Sequence, residues 1–497
     1  MLSPLLIIFA ALLLATLTWL KTRWQNQTFA TAHGCLPAPR YQQPETILGV
    51  QNVVEAARAW KANTWLEMWY HRFTTIGPTF QASSLGRTTI FTIDPENVKA
   101  VLATKFKHFD LGPRRMKILG PLTGPGIFTN DGTSWEHSRS LVRPTFTKVQ
   151  PDRRSGSVEA DLQPLFFRLT LDSATELLLG RSFGSLLSPP GSNALRFMHA
   201  FDYAQCRIHV HGLRESPALR PFAWIQSLFA AKKKSKFDEA CETVHRTLDG
   251  SLPSSSREEK EAPGGKEKYV FLHEIANETR DPLQLRHETL NLLLAGRDTT
   301  AALLSNTFFV LARRPDIWAR LRSEIDQTFE GSIPDYDGLR TVKYIRNLLN
   351  ESLRLYPVVP WNSRIATENT TLPHGGGPDG RSPVFVRAGQ LVNYHLWSMH
   401  RMPEHFGPDS HVFNPDRWDD STLRPGWACI PFNGGPPICV GQQYALTQAA
   451  YVVVRLVQQF ESIECHDAST PWSEHVGLVT SSRTGTKVSL RPRNMPR

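Results

Sequence analysis

The stretch Phe432-Asn433-Gly434-Gly435-Pro436-Pro437-Ile438-Cys439-Val440-Gly441 limits what this chain can fold into more than any other. It places a cysteine after a Gly/Pro-rich loop and directly before a segment in which Ala445, Ala449, Val452, Leu456 and Phe460 recur at helical spacing. That spacing predicts an amphipathic helix with one buried face. A thiolate at a helix N-terminus meets unpaired N–H groups and the positive end of the dipole, which lower its pKa and suit it to ligate a metal. Glycines ahead of it let a flat group approach the backbone. A lone cysteine is more often a small structural hydrophobe, so the case rests on what stands elsewhere in the chain.

The 497 residues can bury a large core, and 40% hydrophobic with 21% charged residues is ordinary globular composition. The six cysteines (Cys35, Cys206, Cys241, Cys429, Cys439 and Cys465) form no CxxC pair. A disulfide framework or a zinc site is therefore not expected, and the bulk of the chain belongs in a reducing compartment. A formal charge of +10 suits an anionic partner, a membrane surface or plain solubility, and does not choose between them.

From Leu2 to Leu20 there is no charge, and Lys21 and Arg23 follow at once. A helix over that run would rise about 28 Å, close to the roughly 30 Å hydrocarbon core. Because the basic residues follow the apolar run, a retained anchor is expected over residues 1–20 in preference to a cleaved signal, despite the cleavage-like Ala30-Thr31-Ala32. Positive-inside logic puts everything beyond Lys21 in the cytosol. Residues 21–45, with Pro37, Pro39 and Pro44, read as a linker, and 46–497 as the catalytic domain.

Within that domain Thr88–Ile93 reads as a strand, and Asp94-Pro95 as a helix start. Ser251–Lys268 reads as a polar surface loop. A helical pattern runs from Asp281 to Phe329 with a break at Arg314-Pro315, and another from about Leu339 to Leu355, ending before Pro357. Short strands with a Gly/Pro turn at Leu372–Gly380 follow. The class is mainly α with small β-sheets.

Three further motifs bear on chemistry. Ala295-Gly296-Arg297-Asp298-Thr299-Thr300 puts poor helix formers at the centre of a long helix, where glycine alone costs about 1 kcal/mol relative to alanine. Thr299 can bond back to the Ala295 carbonyl, and an acid beside an alcohol can relay protons. A solvated helical turn is an equal reading of that motif alone. Glu351 and Arg354 share one helical face, by themselves an ordinary ion pair; Arg417 in Phe413-Asn414-Pro415-Asp416-Arg417-Trp418 could share Glu351 in a structural network. Trp135 and Arg139, at i and i+4, offer two donors to one anionic group, or form a plain surface pair.

Together and in this order, these elements resemble the cytochrome P450 superfamily over nearly the whole chain from about residue 45. The segments Gly126–Thr129, His137–Arg139, Ala295–Ala301, Leu355-Tyr356-Pro357 and Gly375–Gly380 look most similar to the fungal alkane and fatty-acid hydroxylases. The resemblance implies the P450 fold, a single domain binding haem b, with Cys439 as axial ligand and Phe432, Gly435 and Gly441 of the loop against the cofactor. It implies that Trp135, Arg139 and Arg364 hold the propionates and that Asp298 and Thr299 deliver protons. It further implies electrons from NADPH through NADPH–cytochrome P450 reductase, a hydrophobic small-molecule substrate, no nucleic acid, and single-pass residence in the endoplasmic reticulum membrane.

One departure stands out. The family usually has arginine two residues before the cysteine, and here that residue is Pro437. A charge-assisted bond of about 1.5–3 kcal/mol to a propionate is then lost, which predicts weaker haem retention or a shifted potential. The leading expectation is a monooxygenase hydroxylating a fatty acid or alkyl chain. A tailoring oxidase of an alkyl-bearing secondary metabolite, a reductase-independent peroxide rearrangement and a non-catalytic haem binder are the alternatives. Residues 190–235 and the strand after Pro360 are expected to line the pocket.

Overall fold

The computed structural model describes residues 4–45, 48–142, 158–214, 235–252 and 271–493. Of the polar loop at Ser251–Lys268 only Ser251 and Leu252 are described, and residues 215–234 of the expected pocket segment lie outside the described residues.

The chain folds around a 30-residue central helix, Pro282–Leu311. Its start is dictated locally: Asp281 accepts the Leu283 N–H at 3.0 Å and Pro282 occupies the first turn. Pro315 begins the next helix, Pro315–Phe329, so the break falls where the sequence placed it. Helices Leu162–Leu179, Lys343–Leu355 and Gln442–Gln459 pack with these two around one apolar cluster that includes Phe166, Leu304, Phe308, Leu348 and Val453. The single helix expected over 339–355 is divided. Extended backbone at Val342 separates Tyr336–Thr341 from Lys343–Leu355, because the Val342 side chain turns into the core.

The main sheet runs in the order Thr79–Ser84, Arg87–Thr92, Leu391–His395, Trp361–Ala366, Phe109–Asp110, with one parallel pairing, Arg87–Thr92 to Leu391–His395. Asp94 caps the helix after the second of these strands, accepting the Asn97 N–H at 2.9 Å. Thr370–Gly376 and Ser382–Val386 form a hairpin around the glycine turn, and Val158–Asp161, Lys487–Pro492 and Phe460–Cys465 a third sheet.

The N-terminal helix, Pro4–Ala32, continues through Lys21 and Arg23 into the stretch expected to be linker, since no glycine or proline interrupts it before Gly34. Among the described residues no helix is long and apolar enough to cross a membrane. In the N-terminal helix the uncharged run carries described apolar side chains from Ile8 to Leu20. These residues do not support the transmembrane span expected over 1–20. Those side chains are nonetheless exposed, Phe9 and Leu14 among them.

At the end of the strand Leu391–His395, His395 is buried among Trp65, Trp69, Phe73, Phe91 and Trp361. Neither ring nitrogen has a hydrogen-bond partner, and burial, helped by the Arg72 charge, pushes its pKa down to about 3. A depressed histidine pKa means the unfolded chain binds the extra proton. Stability is therefore full above pH 6.5 and falls as pH drops toward 3, by about 1.4 kcal/mol per pH unit for this one group. His395→Phe should flatten the acid limb of urea-unfolding free energy against pH by about that slope; an unaltered limb would refute the assignment.

Candidate active site

Glu351 fixes the region that carries the cysteine. It is fully buried and accepts Arg354 Nη2 at 2.7 Å, Arg354 Nε at 2.9 Å and Arg417 Nε at 3.1 Å. The Trp418 indole N–H (3.0 Å) and the Asn414 amide (2.9 Å) complete its shell. Arg354 also donates to the carbonyls of His400, Ser410 and Val412. One carboxylate and two guanidiniums thus tie an irregular run, His400–Trp418, to the helix Lys343–Leu355.

That run leads into the cysteine loop. The Cys439 N–H donates to the Phe432 carbonyl at 2.9 Å, closing the loop. Gly435 has φ +62°, and a Cβ there would lie 2.2 Å from the Leu102 carbonyl oxygen, so only glycine fits. Its side-chain position thus faces protein backbone. Asn433, also at positive φ, accepts from the Tyr394 hydroxyl at 3.1 Å and donates to the Pro437 carbonyl at 3.4 Å.

Cys439 stands before the helix Gln442–Gln459, with its sulfur 4.0 Å from where a Gly441 Cβ would project. The residue has accessible surface but sits within surrounding protein, and that burial pushes its thiol pKa up. A hydrogen bond with the Gly441 backbone and the Arg139 charge pull the other way. The lowered pKa expected from the helix end is therefore not met in the metal-free thiol; a coordinated metal ionises a thiol outright.

Within Glu288–Leu311 of the central helix, every residue is buried except Ala295, Gly296 and Thr299. These three lie on one face, and a Cβ on Gly296 would meet nothing nearer than Ala174 Cβ at 4.0 Å. The strip can receive a flat apolar group. Thr299 Oγ1 donates to the Ala295 carbonyl at 2.5 Å, which places its hydroxyl on that strip. Asp298 is buried beside it, and burial raises its carboxyl pKa to about 6 although Arg297 pulls it down.

Trp135 and Arg139 share one face of the helix Gly132–Val142, the guanidinium 5.4 Å from the indole centroid. Ser138 between them donates to Glu288 at 2.7 Å, which fastens this helix to the central one. Arg364 lies buried on the strand Trp361–Ala366, donating to the Ser363 carbonyl at 2.8 Å and to Asn362 Oδ1 at 3.4 Å. Sequence reasoning missed Arg115, on the helix Pro113–Thr123, which donates to the same Asn362 oxygen at 3.1 Å. Burial, then the Arg364 charge, lowers the Arg115 pKa to about 10. Among the described residues neither guanidinium forms an ion pair, so both are suited to an anionic group such as a carboxylate. The signal that could have found Arg115, a Gly-Pro-Arg-Arg start to a helix, is too common to single out.

A cysteine beside backbone N–H groups, an uncovered helical strip and paired buried cations fit a haem with its thiolate ligand and propionates. The comparisons agree. The family profile described as Cytochrome P450 matches residues 42–488. The chain is 40% identical to the cytochrome P450 monooxygenase fsdH of Fusarium heterosporum, covering 94% of this chain and 85% of that protein. It is 39% identical to cytochrome P450 52A12 of Debaryomyces hansenii, over 92% of each, and 43% identical to cytochrome P450 52A5 of Candida maltosa, over 83% and 82%. The chain belongs to the cytochrome P450 family, and it is an enzyme of the monooxygenase class.

Removing the Glu351 charge leaves the fully buried Arg354 guanidinium without a carboxylate, while Arg417 keeps only Asp409. Glu351→Gln should lower the unfolding free energy by about 3–5 kcal/mol, read from urea midpoints; an unchanged midpoint would exclude the network as the anchor of this region.

Proposed function

We propose that this enzyme inserts one oxygen atom from O2 into a C–H bond of a fatty acid or alkyl chain, terminal positions included, with Cys439 as the residue that would hold a haem through its thiolate. The observations that carry this reading are the closed loop that presents Cys439 before a helix and the strip of Ala295, Gly296 and Thr299 on the central helix. A haem held through a thiolate supplies the oxidising chemistry, the sulfur pushing electron density onto the iron. Trp135, Arg139, Arg364 and Arg115 hold its propionates, and Phe432, Gly435 and Gly441 shape the loop around the ligand. Asp298 holds a proton in a buried site, and the Thr299 hydroxyl positions it at the strip. The alkyl substrate class rests on the motif resemblance to fungal alkane and fatty-acid hydroxylases.

Electrons come from NADPH through NADPH–cytochrome P450 reductase. The exposed apolar N-terminal helix supports association with the endoplasmic reticulum bilayer as an anchor (1–20) and linker (21–45) ahead of a cytosolic catalytic domain (46–497). A second reading is oxidation of an alkyl-bearing intermediate of a secondary-metabolite pathway; similarity to relatives named only as monooxygenases is compatible with either.

The reduced protein with carbon monoxide should give a thiolate-type spectrum that disappears in Cys439→Ala; an imidazole-type spectrum would sink the assignment. With reductase and NADPH, hydroxylated products from fatty acids or alkanes support the first reading, and turnover confined to larger alkyl-bearing metabolites the second. Pro437→Arg should slow haem loss to apomyoglobin or shift the reduction potential, since it restores a cation beside the ligand loop; identical loss rate and potential would count against a role for Pro437.

A further inference from the structure

Arg297 is a wholly buried cation inside the central helix, and its hydrogen bonds are distributed unusually. One nitrogen, Nη1, serves two carboxylates: Asp202 Oδ1 at 2.5 Å and Asp298 Oδ1 at 2.9 Å. Its Nε and Nη2, and the second oxygen of Asp298, have no partner. The guanidinium rests against the rings of Phe167 and Phe201, 5.4 and 5.6 Å from their centroids. A fork of two parallel bonds from Arg297 would hold Asp298 fully ionised. Splitting a single nitrogen between two acids gives Asp298 only part of that stabilisation.

The second acid comes from a different element. Asp202 lies on the helix Asn193–Arg214, and its side chain is 42% exposed while that of Asp298 is 3% exposed. The same helix contributes Gln205, whose side chain hydrogen-bonds Asp298, and Cys206, which lies within electrostatic range of both acids. The helix Leu162–Leu179 turns the Phe167 ring toward Arg297. Its Asp172 is engaged by the Ser185 and Leu186 amides, and its Glu176 acts on Tyr444.

We propose that Asp202 is a positioning residue for proton delivery: by sharing Arg297 it denies Asp298 a full ion pair and keeps that carboxyl able to take up and release a proton. The proposal rests on the reading of Asp298 as the proton-delivering acid. Gln205 acts in the opposite sense, because its hydrogen bond favours the ionised carboxylate. The helix Asn193–Arg214 therefore adjusts the acid from both directions.

The test follows the protonated-carboxyl infrared band of Asp298 against pH in the haem-loaded protein, the band being assigned by its loss in Asp298→Asn. Asp202→Asn should lower the midpoint by about one unit or more, since it removes a like charge and frees Arg297 for Asp298. Gln205→Leu should raise it, and Asp202→Glu should restore it. The pH at which product formed per NADPH is highest should move with each midpoint. Midpoints that stay put, or that move the same way in Asp202→Asn and Gln205→Leu, overturn the proposal. If the midpoints move as expected while Asp298→Asn leaves product per NADPH unchanged, the reading of Asp298 as proton donor fails instead, and the link to proton delivery fails with it.

Discussion

The buried carboxylate of Glu351 is the contact on which the catalytic end of this molecule depends. The segment from His400 to Trp418 has little regular structure of its own, so its backbone carbonyls need donors from elsewhere. Arg354 and Arg417 supply them, but each brings a charge into the interior. Such charges are tolerable only when paired and fully hydrogen-bonded. Glu351 meets that requirement with two guanidiniums, an indole N–H and a backbone amide at once. The loop that presents Cys439 inherits its position from this arrangement, which is why a network remote from the thiol governs where the thiol stands.

The site itself reverses that economy of charge. Arg115 and Arg364 converge on one neutral amide oxygen, and Arg297 divides one nitrogen between two acids. In the structural network every charge is matched; near the strip, charges are left incompletely matched. Incomplete matching leaves cations able to receive an anion and a carboxyl able to hold a proton. Burial is the common cause, since it raises Asp298 and lowers Arg115 by the same desolvation.

Much of this was legible in the chain because its signals are local. Asp281-Pro282 and Arg314-Pro315 punctuate helices through capping and a missing N–H, and the Glu351/Arg354 spacing places both on one face. What was not legible depends on distant partners. Val342 breaks a continuous helical pattern because its side chain is drawn into the core, and Gly435 answers to Leu102, far away in sequence. Asp202 and Arg115 carry no motif at all; their importance arises only where a second helix or strand brings Arg297 or Asn362 to them. The direction of the Cys439 pKa was misjudged for the same reason, since the helix end is visible in sequence and the surrounding burial is not.

Pro437 now reads as part of a redistribution. A loop lacking the usual arginine has no cation of its own beside the ligand, and it is braced instead by neutral contacts, from Tyr394 through Asn433 to the Pro437 carbonyl. Proline suits that brace because it fixes φ and leaves the carbonyl free to accept. Under the proposed reading the positive charge for a propionate would come from other elements, and Arg115 and Arg364 stand on a helix and a strand outside the loop. Asp131, accepting the Leu111 and Gly112 amides at 2.7 and 2.9 Å, fixes the start of the Arg115 helix. Under that reading, an anion held by the helix and strand and a thiolate held by a neutral loop would separate two tasks that the arginine would otherwise join.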